Sequence, residues 1–92
     1  NMIGVAGGLA HEGLLPVVHT FGVFIARRAY DQVQMSVGSP RARVRLMGFL
    51  PGVTTPGGVS HQAIDDVAVM GSVPGMTVLD PADATEIRSV LE

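Results

Sequence analysis

Apolar residues at Met2, Ile3, Ala6, Leu9 and Ala10 recur at helical spacing and predict a first helix, with Gly13 placed for a left-handed cap. Gly7 and Gly8 lie inside it and each costs about 1 kcal/mol relative to alanine. Such a pair implies that a second backbone passes close by. Leu14 to Thr20 reads as a short buried strand despite Pro16. From about Val23 to Met35 the apolar positions Ile25, Ala26, Tyr30, Val33 and Met35 form one helical face, with Arg27, Arg28, Asp31 and Gln34 turned elsewhere, and Gly38-Ser39-Pro40 ends it. Val44 to Gly48 is a second strand. The eleven residues LPGVTTPGGVS, Leu50 to Ser60, then form a loop with three glycines and two prolines. Loops of that length in compact domains are commonly functional.

A third helix is predicted from about His61 to Met70, a third strand at Met76 to Leu79, and a final helix signalled by Asp80 as N-cap, Pro81 and Asp83. Helices alternate with apolar strands, which predicts an α/β fold: a parallel sheet with helices on both faces. Three strands are few for a doubly wound domain, and the chain starts and stops within helices. It therefore reads as most of one larger domain over residues 1–92, truncated at both ends.

Composition narrows the class. Of 92 residues, 47% are hydrophobic and only 15% charged, with a mean hydropathy of +0.39. An ordinary soluble domain carries about 25% charged residues, so a partner or the rest of a larger globule is expected to cover much of the surface. Disorder needs the opposite balance. Six arginines, no lysine and a formal charge of −2 argue against a nucleic-acid binder. The longest uncharged apolar stretch, Leu14 to Ala26, is 13 residues and contains Pro16, His19 and Thr20. A bilayer-spanning helix needs about 18–20. Without a basic leader or any cysteine, the expectation is a cytoplasmic protein with neither disulfides nor a thiolate metal site.

Ligands of open parallel sheets bind beyond the carboxyl ends of the strands. His19 and Thr20 close the first strand, and the long loop leading to His61 follows the second. Thr20, Phe21, the loop and His61 are thus expected at one edge of the sheet. By spacing alone His61 is a solvated residue near a helix start, and Phe21 and Phe24 are core. Asp65 and Asp66 read as a solvated or interface face, and Asp83 and Glu86 as capping residues. Arg41, Arg43 and Arg45 read as a solvated edge, and His11 and His19 as structural. No phosphate loop, dinucleotide motif or metal cluster is present in the sequence.

Taken in order, NMIGVAGGLAHEGLLPVVHTFGVF and GGVSHQAIDDVAVMGSVPGMTVLDPADATE carry three motifs: an Asn-Met pair opening an alanine- and glycine-rich helix, Thr-Phe-x-x-Phe, and Ser-His-Gln followed by Pro-x-Asp. Together they resemble the pyrimidine-binding domain of the transketolase family. The resemblance implies thiamine diphosphate chemistry, with Phe24 stacking on the cofactor's aminopyrimidine and Phe21 packed beside it. It places Arg27 where typical members carry a cofactor-side tyrosine. It makes His61 the histidine that reaches the substrate. It assigns the diphosphate and magnesium to a domain outside this chain, and puts the glutamate that activates the ring just before Asn1. The 92-residue chain by itself is accordingly expected to be inactive.

The implied activity is transfer of a two-carbon ketol unit from a ketose donor to an aldehyde acceptor, both small carbonyl compounds. The alternatives are a non-catalytic paralogue or assembly subunit, and a thiamine-dependent synthase of the deoxyxylulose-phosphate type. The implied partner is a diphosphate-binding domain or subunit, in a homodimer or heterotetramer. Two positions depart from the family pattern. Gly57 stands where typical transketolases read a sugar hydroxyl with an aspartate, and Phe49 falls near a phosphate-binding histidine. Both departures point away from an ordinary sugar phosphate.

Overall fold

A computed structural model describes all residues 1–92. Helix α1 (Met2–His11) leads into strand β1 (Val17–Phe21), a long helical crossover, and strand β2 (Arg45–Phe49). Two further helices, α3 (Asp66–Gly71) and α4 (Ala84–Leu91), follow the loop. The crossover is composite: an α-helical turn, α2 (Tyr30–Val33), lies between two π-helical turns, Phe24–Arg28 and Gln34–Gly38. Both π turns close with bonds five residues apart, Ala29 N–H to the Phe24 carbonyl at 3.0 Å and Ser39 N–H to that of Gln34 at 2.8 Å.

β1 and β2 pair in parallel, with Val17 opposite Arg45, Val18 opposite Leu46 and Phe21 opposite Phe49. β1 starts at Val17 rather than Leu14. Leu14 N–H is spent closing α1 on the Leu9 carbonyl, Gly13 holds the left-handed turn at φ +87°, and Pro16 offers only its carbonyl, to Arg45 N–H at 3.0 Å. The core gathers Ile3, Ala6, Val18, Ile25, Val33, Val37 and Val73 from α1, β1, the crossover and the segment after α3. It is thin: 14 of 92 residues are buried, while Leu14, Val17, Met35 and Leu79 are all more than 40% exposed.

The C-terminal third departs from the sequence expectation in three places. The helix predicted from His61 begins only at Asp66. Ala63 is committed to an antiparallel bridge with Gly52, exchanging bonds of 2.7 and 3.1 Å, and a residue so paired cannot join a helix. The segment Met76–Leu79, predicted as a third strand, has no regular secondary structure, and the sheet has two strands. Apolar residues make a strand only where a partner edge meets their N–H and C=O groups. Here Met76 N–H turns back to Val73 at 3.1 Å instead. Finally, the cap of α4 is Asp83, not Asp80. The Asp83 carboxylate accepts from Thr85 N–H at 2.8 Å and Glu86 N–H at 2.9 Å, while Glu86 accepts from Ala82 N–H at 2.7 Å.

The two glycines in α1 separate. A Cβ on Gly7 would lie 2.6 Å from the Ser36 carbonyl oxygen, so α1 and the crossover approach there as bare backbone; a Cβ on Gly8 would meet nothing within 4 Å. Gly8→Ala should therefore raise stability by up to about 1 kcal/mol through helix propensity. Gly7→Ala gains the same propensity but overpacks, at a cost of about 1–3 kcal/mol, and should be neutral or destabilising. Urea unfolding midpoints of the two variants check the pair. Equal shifts would show that the two helices are not in backbone contact at Gly7.

Candidate functional site

The parallel register brings the carboxyl ends of β1 and β2 together, and the site assembles there. Phe21 is the last residue of β1, and Phe24 opens the crossover three residues on. Gly22 lies between them and faces Gly48 of β2: a Cβ on Gly48 would fall 2.9 Å from the Gly22 Cα. Position 48 therefore requires glycine, whereas a Cβ on Gly22 would meet only ordinary contacts at 3.5 Å or more.

Phe21, Phe24 and His61 form one cluster. Ring centroids lie 5.6 Å apart for the two phenylalanines, 5.8 Å for Phe21 and His61, and 5.2 Å for Phe24 and His61, all edge to face. Such pairs are worth about 0.5–1.5 kcal/mol each beyond burial. The expectation that Thr20, Phe21, the loop and His61 share one edge agrees with this placement. All three rings are half-buried, so they form a wall with an accessible side. His61 is anchored on its own loop: its N–H donates to the Gly58 carbonyl at 2.9 Å, and Nδ1 lies 2.9 Å from Ser60 Oγ.

The two crossover arginines divide their work. Arg27 Nε donates to the Asp65 carboxylate at 3.0 and 3.3 Å, and its Nη2 donates to the Gln62 carbonyl at 3.3 Å. It thus ties the segment carrying His61 to the helical turn carrying Phe24. Asp65 is part of that clasp, not merely a solvated face. Both partners are substantially exposed, so this ion pair contributes no more than about 1 kcal/mol to stability, and its main effect is on placement. Arg28 instead lies over Phe24, its guanidinium carbon 4.2 Å from the ring centroid, a cation–π contact.

No motif in the sequence marks Arg28 as part of the aromatic cluster. Its one signal is its spacing four residues after Phe24, which puts two helical side chains on one face. Ser60 carries no such signal, because its partnership with His61 depends on a turn that spacing does not specify. Phe49 is half-exposed at the end of β2 with its ring 5.5 Å from His19. Gly57 sits against His61: a Cβ on it would lie 2.6 Å from the imidazole Cγ and 2.8 Å from Cβ and Nδ1. His11, Arg41, Arg43 and Arg45 are exposed and stand outside the cluster, and Asp83 and Glu86 cap α4. No group of three or more His, Asp or Glu residues could hold a metal ion, and no helix is long and apolar enough to cross a membrane.

Comparison with known proteins gives this arrangement a family. Residues 1–92 match the transketolase pyrimidine-binding domain from end to end. The chain is 43% identical over 90 residues to a 6-deoxy-6-sulfo-D-fructose transketolase subunit of Clostridium sp., covering 97% of this chain and 28% of that protein. A 1-deoxy-D-xylulose-5-phosphate synthase of Tropheryma whipplei is 40% identical over 91 residues, 99% of this chain and 14% of the synthase. A solved structure described as a split-gene transketolase in an inactive beta4 tetramer superimposes with a TM-score of 0.85 at 40% identity, over 99% of this chain and 29% of that one. The chain therefore spans less than a third of the length of these relatives. Its ordered motifs and its fold agree with a match that covers every residue: the chain belongs to the transketolase family, as its pyrimidine-binding domain.

Proposed function

We propose that this domain forms the ring-binding half of a thiamine-diphosphate site in an enzyme that moves a two-carbon ketol unit from a ketose to an aldehyde. The observation that carries the proposal is the Phe21–Phe24–His61 cluster at the carboxyl ends of the parallel strands. Half-buried aromatic faces suit a flat, neutral heteroaromatic ring, and family membership supports thiamine diphosphate as the group that carries it. The fit extends to the ring alone. The chain holds neither an anion-binding glycine loop nor a carboxylate cluster. We therefore assign the diphosphate and magnesium to a separate domain or subunit, in a dimer or heterotetramer. When bound, the cofactor supplies the nucleophilic carbon that takes up the donor's two-carbon unit.

This chain's own residues do three things in that scheme. Phe24 and Phe21 hold the ring by stacking and exclude water from one side. His61, beside them, hydrogen-bonds the reacting carbonyl compound. Arg27 serves by holding the His61 segment through Asp65 and Gln62, a positioning role rather than direct contact with cofactor. A synthase of the deoxyxylulose-phosphate type would use the same cluster, and the 40% identity to such a synthase favours it as the second reading.

Substrate choice turns on Gly57 and Phe49. Neither can do what a carboxylate does for a sugar hydroxyl or a histidine for a phosphate, so the proposed substrate is less polar or differently charged at its distal end than an ordinary pentose phosphate. The similar Clostridium protein, whose name specifies a sulfosugar, is compatible with that direction.

Two variants of the assembled enzyme test these roles. Phe24→Ala should weaken cofactor binding by roughly a factor of 2 to 13, the loss of about 0.5–1.5 kcal/mol of aromatic pairing, with little change in KM for the aldehyde. An unchanged cofactor dissociation constant, measured by calorimetry, would make Phe24 ordinary core. Gly57→Asp restores the residue of typical members, yet its Cβ must displace the imidazole. Displacements of about 1 Å can cost on the order of 10²-fold in rate. The expected outcome is a lower kcat on every donor and no gain for pentose phosphates. A selective gain for pentose phosphates would show that His61 moves aside freely.

A further inference from the structure

Ser60 has one hydroxyl proton and two neighbours within hydrogen-bond distance. Its Oγ lies 3.2 Å from the Gly57 carbonyl oxygen and 2.9 Å from His61 Nδ1. A carbonyl oxygen can only accept, whereas a neutral imidazole nitrogen either donates or accepts according to which nitrogen carries the proton. One arrangement makes both contacts hydrogen bonds at once: Ser60 O–H donates to Gly57, and His61 Nδ1–H donates to Ser60 Oγ. A neutral imidazole has a single N–H, so Nε2 is then left bare.

The surrounding backbone holds this chain of bonds in place. His61 N–H donates to Gly58 at 2.9 Å, closing the turn that carries Gly57, Ser60 and His61 together. Gly57 supplies its carbonyl without a side chain, and any Cβ there would press into the ring at 2.6–2.8 Å. The imidazole also packs against Phe24, at 5.2 Å between centroids. The ring is thus in contact with both a glycine and a phenylalanine, while the Ser60 hydroxyl is exposed.

We propose that Ser60 is a positioning residue that holds neutral His61 as its Nδ1–H tautomer, so that Nε2 meets the substrate as a hydrogen-bond acceptor. The ligand chemistry that follows is a hydroxyl next to the reacting carbonyl, because a hydroxyl can donate to Nε2 and a bare carbonyl oxygen or carboxylate cannot. Donation from Nε2 requires either a second proton on His61 or a turn of the Ser60 hydroxyl away from Gly57 toward Nδ1. The identity of the hydrogen-bond partner at one ring nitrogen therefore decides what the other offers. This proposal rests on the reading of His61 as the substrate-facing residue.

The test is nitrogen NMR of the complete, histidine-labelled protein, without cofactor or substrate, at a pH where His61 is neutral. Wild type should show a protonated-type signal on Nδ1 and an unprotonated-type signal on Nε2. Ser60→Ala should move the proton toward Nε2, the form free imidazoles favour, and Ser60→Thr, which keeps the hydroxyl, should retain the wild-type pattern. In the assembled enzyme Ser60→Ala should lower kcat/KM by about five- to tenfold, the worth of one hydrogen bond, with cofactor affinity unchanged and the threonine variant restoring the rate. An Nε2–H tautomer in wild type, or no change of tautomer in Ser60→Ala, would overturn the proposal. Because the tautomer is read without substrate, a wild-type enzyme that transfers no ketol unit would overturn the proposed activity and, with it, only the substrate side of this inference.

Discussion

The parallel register that sets Val18 opposite Leu46 and Phe21 opposite Phe49 obliges the chain to cross over between the two strands, and most of the molecule follows from that obligation. A parallel pair cannot be joined by a tight turn, so residues Phe24 to Gly38 must travel back along the sheet as helix. Their apolar face, Ile25, Val33 and Val37, then has one surface to bury against, formed by Val18 of β1 with Ile3 and Ala6 of α1. The same register puts both carboxyl ends at one edge. There the turn after β1 exposes Phe21 and Phe24, and the loop after β2 brings His61 up to them.

Close backbone approach makes so small a core workable. Gly7 lets α1 lie on Ser36, Gly38 makes room for Val73, and Gly48 lets the end of β2 pass against the backbone at Gly22. Each glycine gives up side-chain burial for proximity. The consequence is a thin core with a large apolar exterior: Leu14, Val17, Met35 and Val59 all face outward. Few domains of this size bury enough surface to tolerate such exposure alone. The chain also spans less than a third of the length of these relatives.

The π turn at Phe24–Arg28 joins the fold to the site. Its wider winding leaves Arg28 over the Phe24 ring and directs Arg27 to Asp65, so two adjacent cations serve different purposes. One braces an aromatic wall, and the other clasps the loop that carries the histidine. Neither depends on a buried charge, and both sit at the rim. Within the loop, Gly57 and Ser60 act on the imidazole directly, through absent bulk in the first case and a hydroxyl in the second.

The apolar periodicity of α1, the Gly13 cap, the crossover bounded by Gly38-Ser39-Pro40 and the two apolar strands were all legible in the residues, because each is decided by contacts a few positions apart or by which face must be buried. The order of motifs likewise marked Phe21, Phe24 and His61. The C-terminal third was not legible in that way. Ala63 leaves the helical pattern because Gly52, eleven residues earlier, takes its backbone bonds, and Met76–Leu79 is not a strand because no strand edge pairs with it. The choice of Asp83 over Asp80 as cap, the Arg27–Asp65 clasp and the Ser60–His61 bond belong with these. Local propensity ranks what a segment can form. Hydrogen-bond partners supplied from elsewhere in the chain decide among the candidates, since a backbone or imidazole group can satisfy one partner only at the expense of another.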